Sequence, residues 1–134
     1  MSTVRSLLES PAPAVLTTYR RDGSAHVSPV WFQWTGEALE IVVAKGDAKL
    51  RHLDRDGRCV FVVFEATPPF RGVEFRGTPH LIDVDVTSAR RAIASRYLGS
   101  AGGARFAESR RTLPGVILRL SDGDVRLWDL SRIV

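Results

Sequence analysis

The chain has 134 residues, 44% apolar and 25% charged, which fits a single folded domain spanning 1–134 and excludes a disordered polymer. Its net charge of +4 rests on seventeen arginines, spread from Arg5 to Arg132, and two lysines. That balance admits nucleic acid, an acidic membrane surface or a phosphorylated small ligand as partner, while a lone Cys59 excludes an internal disulfide.

Residues 3–9 read as a short helix, ended by Pro11 and Pro13. Ala14–Tyr19 is rich in strand formers, and Asp22-Gly23 marks a hairpin turn. The return strand covers about 26–35, with His26, Ser28, Val30, Phe32 and Trp34 on one face and Val27, Pro29, Trp31 and Gln33 on the other. Pro29 cannot donate to a ladder, so a bulge or an unpaired edge is expected there. Leu39–Ala44 is a third strand, 47–55 a helical crossover, and 58–65 an apolar strand buried on both faces or at a subunit contact. Residues 71–83 read as one long strand with bends at Gly72 and Gly77-Thr78-Pro79. Thr87 caps a helix running to Leu98, with Ala89, Ala92, Ile93 and Tyr97 along one side. Residues 99–103 read as a loop, and 114–120 with 124–130 as a closing hairpin around Ser121–Asp124. Short strands joined by tight turns point to a mainly β, antiparallel barrel or sandwich with short helices.

Several chemistries are missing. There is no G-x-S-x-G elbow, no Walker-type phosphate loop and no G-x-G-x-x-G after a strand. His26, His52 and His80 lie on different elements and Cys59 sits among valines and Phe61, so no metal site is expected. No apolar run reaches the ~20 residues of a membrane span. The N-terminus also lacks a signal-peptide core. A cytoplasmic protein with a reduced thiol is the expectation. Without a nucleophile of its own, an enzyme of this sequence takes its reactive group from a bound cofactor; no catalytic side chain is assigned.

Both lysines fall in Val43–Arg55, where an apolar strand ends, Gly46 and Asp47 follow, and Lys49 and Arg51 open a helix. Free amides and the helix dipole make such a place an anion seat; the competing reading is a solvated basic helix face. Ser28 and Pro29 interrupt an apolar pattern, as a strand offering backbone groups to a ligand does. Trp31 is either a stacking platform or, the commoner fate of a strand aromatic, core.

Four stretches carry a family resemblance. Leu16-Thr17-Thr18 with Asp22-Gly23 and His26–Phe32 is similar to the opening hairpin of the pyridoxamine 5'-phosphate oxidase-like FMN-binding split barrels. Lys49–Arg58 resembles that superfamily's lysine-to-arginine signature, with Gly57 where a proline is usual. Gly72–Gly77 resembles the following strand, and Arg126-Leu127-Trp128-Asp129 the closing one. Within the superfamily the chain is most similar to the actinobacterial, deazaflavin (coenzyme F-420)-dependent branch, in keeping with an arginine-rich, high-GC codon bias.

This resemblance implies a six- to seven-stranded antiparallel split β-barrel, homodimeric, with cofactor at the subunit interface. It implies that phosphate meets Ala44, Lys45, Lys49 and Arg55, and that the ring lies on Ser28, Pro29, Val30 and Trp31. Trp128 either covers the partner's site or closes the barrel. Asp47 stands where a Ser or Thr donor is usual and repels phosphate unless it caps the helix or pairs with Lys45 or Arg51. The expected function is an oxidoreductase delivering hydride from reduced F-420 to a small unsaturated or conjugated substrate, with Tyr97 or His26 as candidate proton sources. The alternatives are an FMN enzyme, or a flavin-, deazaflavin- or haem-binding carrier. A single-stranded nucleic-acid binder ranks lowest, because the aromatics lie in apolar strands.

Overall fold

A computed structural model describes residues 2–130. Nine strands among the described residues form two antiparallel sheets. The first has the order β2-β1-β5-β6-β9, built from Ala25–Val30, Ala14–Tyr19, Cys59–Phe64, Gly72–Gly77 and Asp124–Trp128. The second has the order β3-β4-β8-β7, built from Gln33–Trp34, Leu39–Ala44, Gly115–Leu120 and His80–Ile82. Three helices complete the fold: α1 (Ser2–Glu9), α2 (Ala48–Arg55) and α3 (Thr87–Ser109). None is long and apolar enough to cross a membrane.

Period-two alternation builds the core. In β1, Ala14, Leu16 and Thr18 point inward; in β5, Cys59, Phe61 and Val63 do, while Val60, Val62 and Phe64 stay half-buried. These meet Phe32, Val73, Leu39, Ile41 and Leu118, and α1 plugs one opening with Val4, Leu7 and Leu8. Burying each such Leu or Phe contributes roughly 1.5–3 kcal/mol. The buried carboxylates are paired: Arg119 reaches Glu40 at 2.7 Å, and Arg76 reaches Glu74 at 2.9 Å.

The return strand expected over 26–35 is two strands. It leaves the first sheet after Val30, turns through Trp31 and Phe32, and enters the second as β3. Pro29, opposite Val15, is tolerated because β2 is an edge and its amide would face no partner strand. The long strand expected over 71–83 also divides between sheets, β6 in the first and β7 in the second. Nor is the closing hairpin a pair. β8 lies between β4 and β7, whereas β9 lies on β6. The chain turns this corner at Gly123 (φ 132°), where a Cβ would lie 2.0 Å from the Arg76 carbonyl oxygen. A turn signature reports a reversal and says nothing of which strand the chain then joins.

The loop expected over 99–103 is helical. Only Gly99 departs from helical geometry (φ 78°, ψ 167°), and α3 continues beyond it to Ser109. Residues eight apart on a straight helix are about 12 Å apart. Here a Cβ on Gly103 would lie 2.6 Å from the Cα of Ser95, so the two halves of α3 fold against each other. The helix start also differs from expectation: the Asp85 carboxylate accepts the Thr87 amide at 2.9 Å, and Val86 occupies the cap. Its buried face is Arg90, Ile93 and Ala94 with half-buried Tyr97, while Ala92 is exposed.

Candidate functional site

The end of β2, the middle of β4, the start of α2 and both halves of α3 enclose a cleft of about 520 Å³. Its apolar walls are Pro29, Val30, Trp31, Val42, Ala44, Ile93, Phe106 and Leu113; its cations are Lys49, Arg90 and Arg110. That size and lining suit a small organic ligand.

Trp31 is held in place from behind. Its indole stacks on Tyr97 at 5.2 Å and 11°, and meets Phe106 at 5.2 Å and 49°. The Tyr97 hydroxyl donates to the Ala12 carbonyl at 3.0 Å and accepts the Phe32 amide at 3.4 Å. Beside it, Arg96 donates to the carbonyls of Leu8, Ser10 and Phe32 and lies 4.6 Å over the Phe32 ring. Together they tie the β2–β3 connection to the end of α1 and fix Trp31 at the cleft rim, where it is 38% exposed. Trp31 is therefore neither a strand residue nor core. Burial raises the Tyr97 phenol above its ordinary range, only partly offset by the Phe32 amide and Arg96. With its hydroxyl engaged by backbone, Tyr97 is a positioning residue.

At the other end, Asp47 caps α2. Its carboxylate accepts the Lys49 amide at 2.8 Å and the Lys49 ammonium at 3.1 Å. Burial pushes the Asp47 carboxyl upward, but the Lys49 amide, ammonium and charge outweigh it, and the group lies below the usual range. Asp47 thus caps the helix, yet its ion partner is Lys49 rather than Lys45 or Arg51.

Of the residues assigned from sequence, the cleft gathers Pro29, Val30, Trp31, Ala44 and Lys49. The others lie elsewhere. Ser28 sits half-buried in β2 opposite Leu16. Lys45 pairs with Asp83 at 3.0 Å and lines a separate 290 Å³ hollow with Val86 and Pro114. Arg55 donates to the Tyr19 carbonyl at 2.6 Å. Trp128 packs over Gly72, in a groove with Val4 and Arg71, so within this chain it closes the barrel rather than this cleft. His26 stands edge-on to His52 at 5.0 Å. His52 in turn meets the buried Thr18 hydroxyl at 2.9 Å. Neither histidine lines the cleft.

Sequence reasoning missed Val42, Arg90, Ile93, Phe106, Arg110 and Leu113 as cleft residues. Arg90 and Arg110 belong to the pairs Arg90-Arg91 and Arg110-Arg111, which on sequence alone suit a solvated face. In fact Arg90 is 7% exposed and donates to the carbonyls of Arg110 and Leu113 at 2.9 and 3.1 Å. An arginine on the inward side of a helix was the available signal. Arg110 lies 3.8 Å over the Phe106 ring.

These apolar walls suit a flat ring, and Lys49, Arg90 and Arg110 suit an anion attached to it. A split-barrel flavin cofactor has that shape, and the donor set offers no His, Cys or Met at the cleft wall to ligate haem iron. Among the described residues no group of three His, Cys, Asp or Glu is placed to hold a metal ion.

The family model described as pyridoxamine 5'-phosphate oxidase matches residues 2–129. A conserved hypothetical protein from Mycobacterium tuberculosis superposes with a TM-score of 0.79 at 20% identity, over 98% of this chain and 86% of that one. A solved F-420 reductase gives a TM-score of 0.74 at 25% identity, over 91% of this chain and 94% of that one. A FAD- and haem-binding protein from Mycobacterium smegmatis gives 0.68 at 18% identity, over 94% and 69%. No curated protein matches.

Proposed function

This chain belongs to the pyridoxamine 5'-phosphate oxidase family, and from that premise we infer that its cleft holds the redox ring of coenzyme F-420. Reduced F-420 supplies a hydride when bound, and the acceptor on this reading is a small unsaturated or conjugated molecule. The observation that carries the reading is an apolar cleft lined, among the described residues, by three cations and no carboxylate. Trp31, Ile93, Phe106 and Leu113 make an apolar slot, and Lys49, Arg90 and Arg110 supply it with positive charge. Likeness to an F-420 reductase at 25% identity favours the deazaflavin over FMN.

The roles of the chain's own groups follow from their positions. Pro29 and Val30, on an edge strand with one free side, offer backbone to the ring. Trp31 and Phe106 exclude water. Lys49 attracts the phosphate-bearing tail. Tyr97 and Arg96 hold Trp31 still, so that less ordering remains to be done on binding. Trp31 and Leu113, 38% and 52% exposed at the rim, favour a homodimer in which a second copy covers the slot. We place the protein in the cytoplasm, where a buried, unpaired Cys59 stays reduced.

The test is a titration of the purified protein with F-420, FMN and haem, followed by fluorescence and absorbance. F-420 is expected to bind tightest. Lys49→Ala is expected to weaken it roughly tenfold, a loss of about 1.4 kcal/mol, with α2 still capped because Asp47 bonds the backbone amide at 49. Unchanged affinity removes Lys49 from the site. Turnover of a substrate panel with reduced F-420 then separates an enzyme from a carrier, and sedimentation reads the oligomeric state.

A further inference from the structure

We propose that Asp47 sets the charge the cleft accepts, admitting a singly charged phosphodiester such as that of F-420 and disfavouring the doubly charged phosphomonoester of FMN. This rests on the cofactor reading above and names the residue that selects within it.

The argument is local. At the cationic end of the cleft the Lys49 ammonium is the only lysine that lines the wall. Its side chain is 13% exposed and its Nζ lies 3.1 Å from Asp47 Oδ2 and 3.3 Å from Oδ1. The same carboxylate takes the Lys49 amide. One carboxylate thus engages both the amide and the ammonium of Lys49, which meets the cleft as half of an ion pair rather than as a bare cation. Arg90 and Arg110 also bring positive charge to the cleft, and that charge is the same whatever stands at 47. Lys45 is drawn to Asp83, Arg90 donates through one guanidinium nitrogen to the Arg110 and Leu113 carbonyls, and Arg110 stacks on Phe106.

An anion entering here must share Lys49 with Asp47 and bear its repulsion. That repulsion scales with the anion's charge. At about 4 Å with the screening of bulk water, one unit of like charge changes an equilibrium by about fivefold, and two units by about twenty-five. A phosphomonoester near pH 7 carries about two charges, a phosphodiester one. The hydrogen bonds that hold Asp47 ionised keep this discrimination present at neutral pH.

The experiment titrates riboflavin, FMN and F-420 into wild-type protein, Asp47→Asn and Asp47→Ser, with melting curves to establish folding. Both replacements keep a side chain able to cap α2. Riboflavin differs from FMN only by the phosphate, so their affinity ratio isolates that group. The attraction of Arg90 and Arg110 acts in every protein and cancels. Wild type should prefer FMN to riboflavin by less than tenfold, because the repulsion of Asp47 offsets the attraction of Arg90 and Arg110. Asp47→Asn should raise that ratio roughly twenty-fivefold and tighten F-420 roughly fivefold. The proposal is overturned if F-420 binds wild type but the FMN-to-riboflavin ratio stays within twofold in both variants. It is equally overturned if wild type already prefers FMN to riboflavin tenfold, a result that stands even should neither variant fold. If none of the three ligands binds any folded form, the cofactor reading itself fails and takes this inference with it.

Discussion

Gly103→Ala tests whether the fold of α3 builds the far wall of the cleft. An added Cβ would lie 2.0 Å from Ser95 Oγ and 2.6 Å from both the Cα and N of Ser95. The hydroxyl can rotate away, but the backbone atoms cannot, so the two halves of α3 must part by about 1 Å to restore ordinary contact. Overpacking of this kind costs about 1–3 kcal/mol. Alanine's better helix propensity returns up to about 1 kcal/mol, which leaves a net loss of about 1–2 kcal/mol. Unfolding entropy near 2.1 cal/mol/K per residue over 134 residues gives about 0.28 kcal/mol/K, so the melting temperature should fall by about 4–7 °C. Because Phe106 and Arg110 ride on the displaced half, cofactor affinity should fall severalfold in the same variant. Differential scanning calorimetry and a binding titration read the two effects. A melting temperature that holds or rises would show that helix propensity, not close packing, governs Gly103, and would refute the folded-back geometry of α3.

Three further outcomes follow from single contacts. Tyr97→Phe keeps the stack on Trp31 but strands the Ala12 carbonyl and the Phe32 amide. It should cost about 1–3 kcal/mol, read as a lower urea midpoint with unchanged m-value. Burial, with His26, Arg55, Arg20 and Arg51, holds the His52 pKa below its ordinary 6.5. The unfolded chain therefore takes up its proton first as pH falls. Stability should be fully present above pH 6.5 and decline below it, and His52→Gln should flatten the melting temperature between pH 7 and 5.5. Burial pushes the Cys59 thiol up to about 12. A thiol-reactive dye should leave it untouched at pH 8 and label it fully once the protein is unfolded.

Local chemistry in the sequence determined the strands and the near wall of the site. The alternation of Ala14–Tyr19, the apolar run at Leu39–Ala44 and the Asp22-Gly23 turn each act within a few residues, and each appears where expected. The same holds for Lys49 at the start of α2 with Asp47 as its cap, because a capping bond spans only two residues. What the sequence left open was partnership. Gly77-Thr78-Pro79 and Ser121–Asp124 read as bends or hairpins, yet at both the chain crosses from one sheet to the other, since pairing is settled by which sheet buries the next apolar face. Gly99 to Gly103 read as a loop because glycine breaks helices locally. Tertiary packing decided otherwise: one left-handed residue turns the helix back, and the bare Gly103 lets its halves touch. That reversal carries Phe106 and Arg110 to the cleft opposite Pro29 and Lys49. Contacts between residues some sixty apart in the chain leave no periodic trace, so the far wall was decided only by the folded molecule.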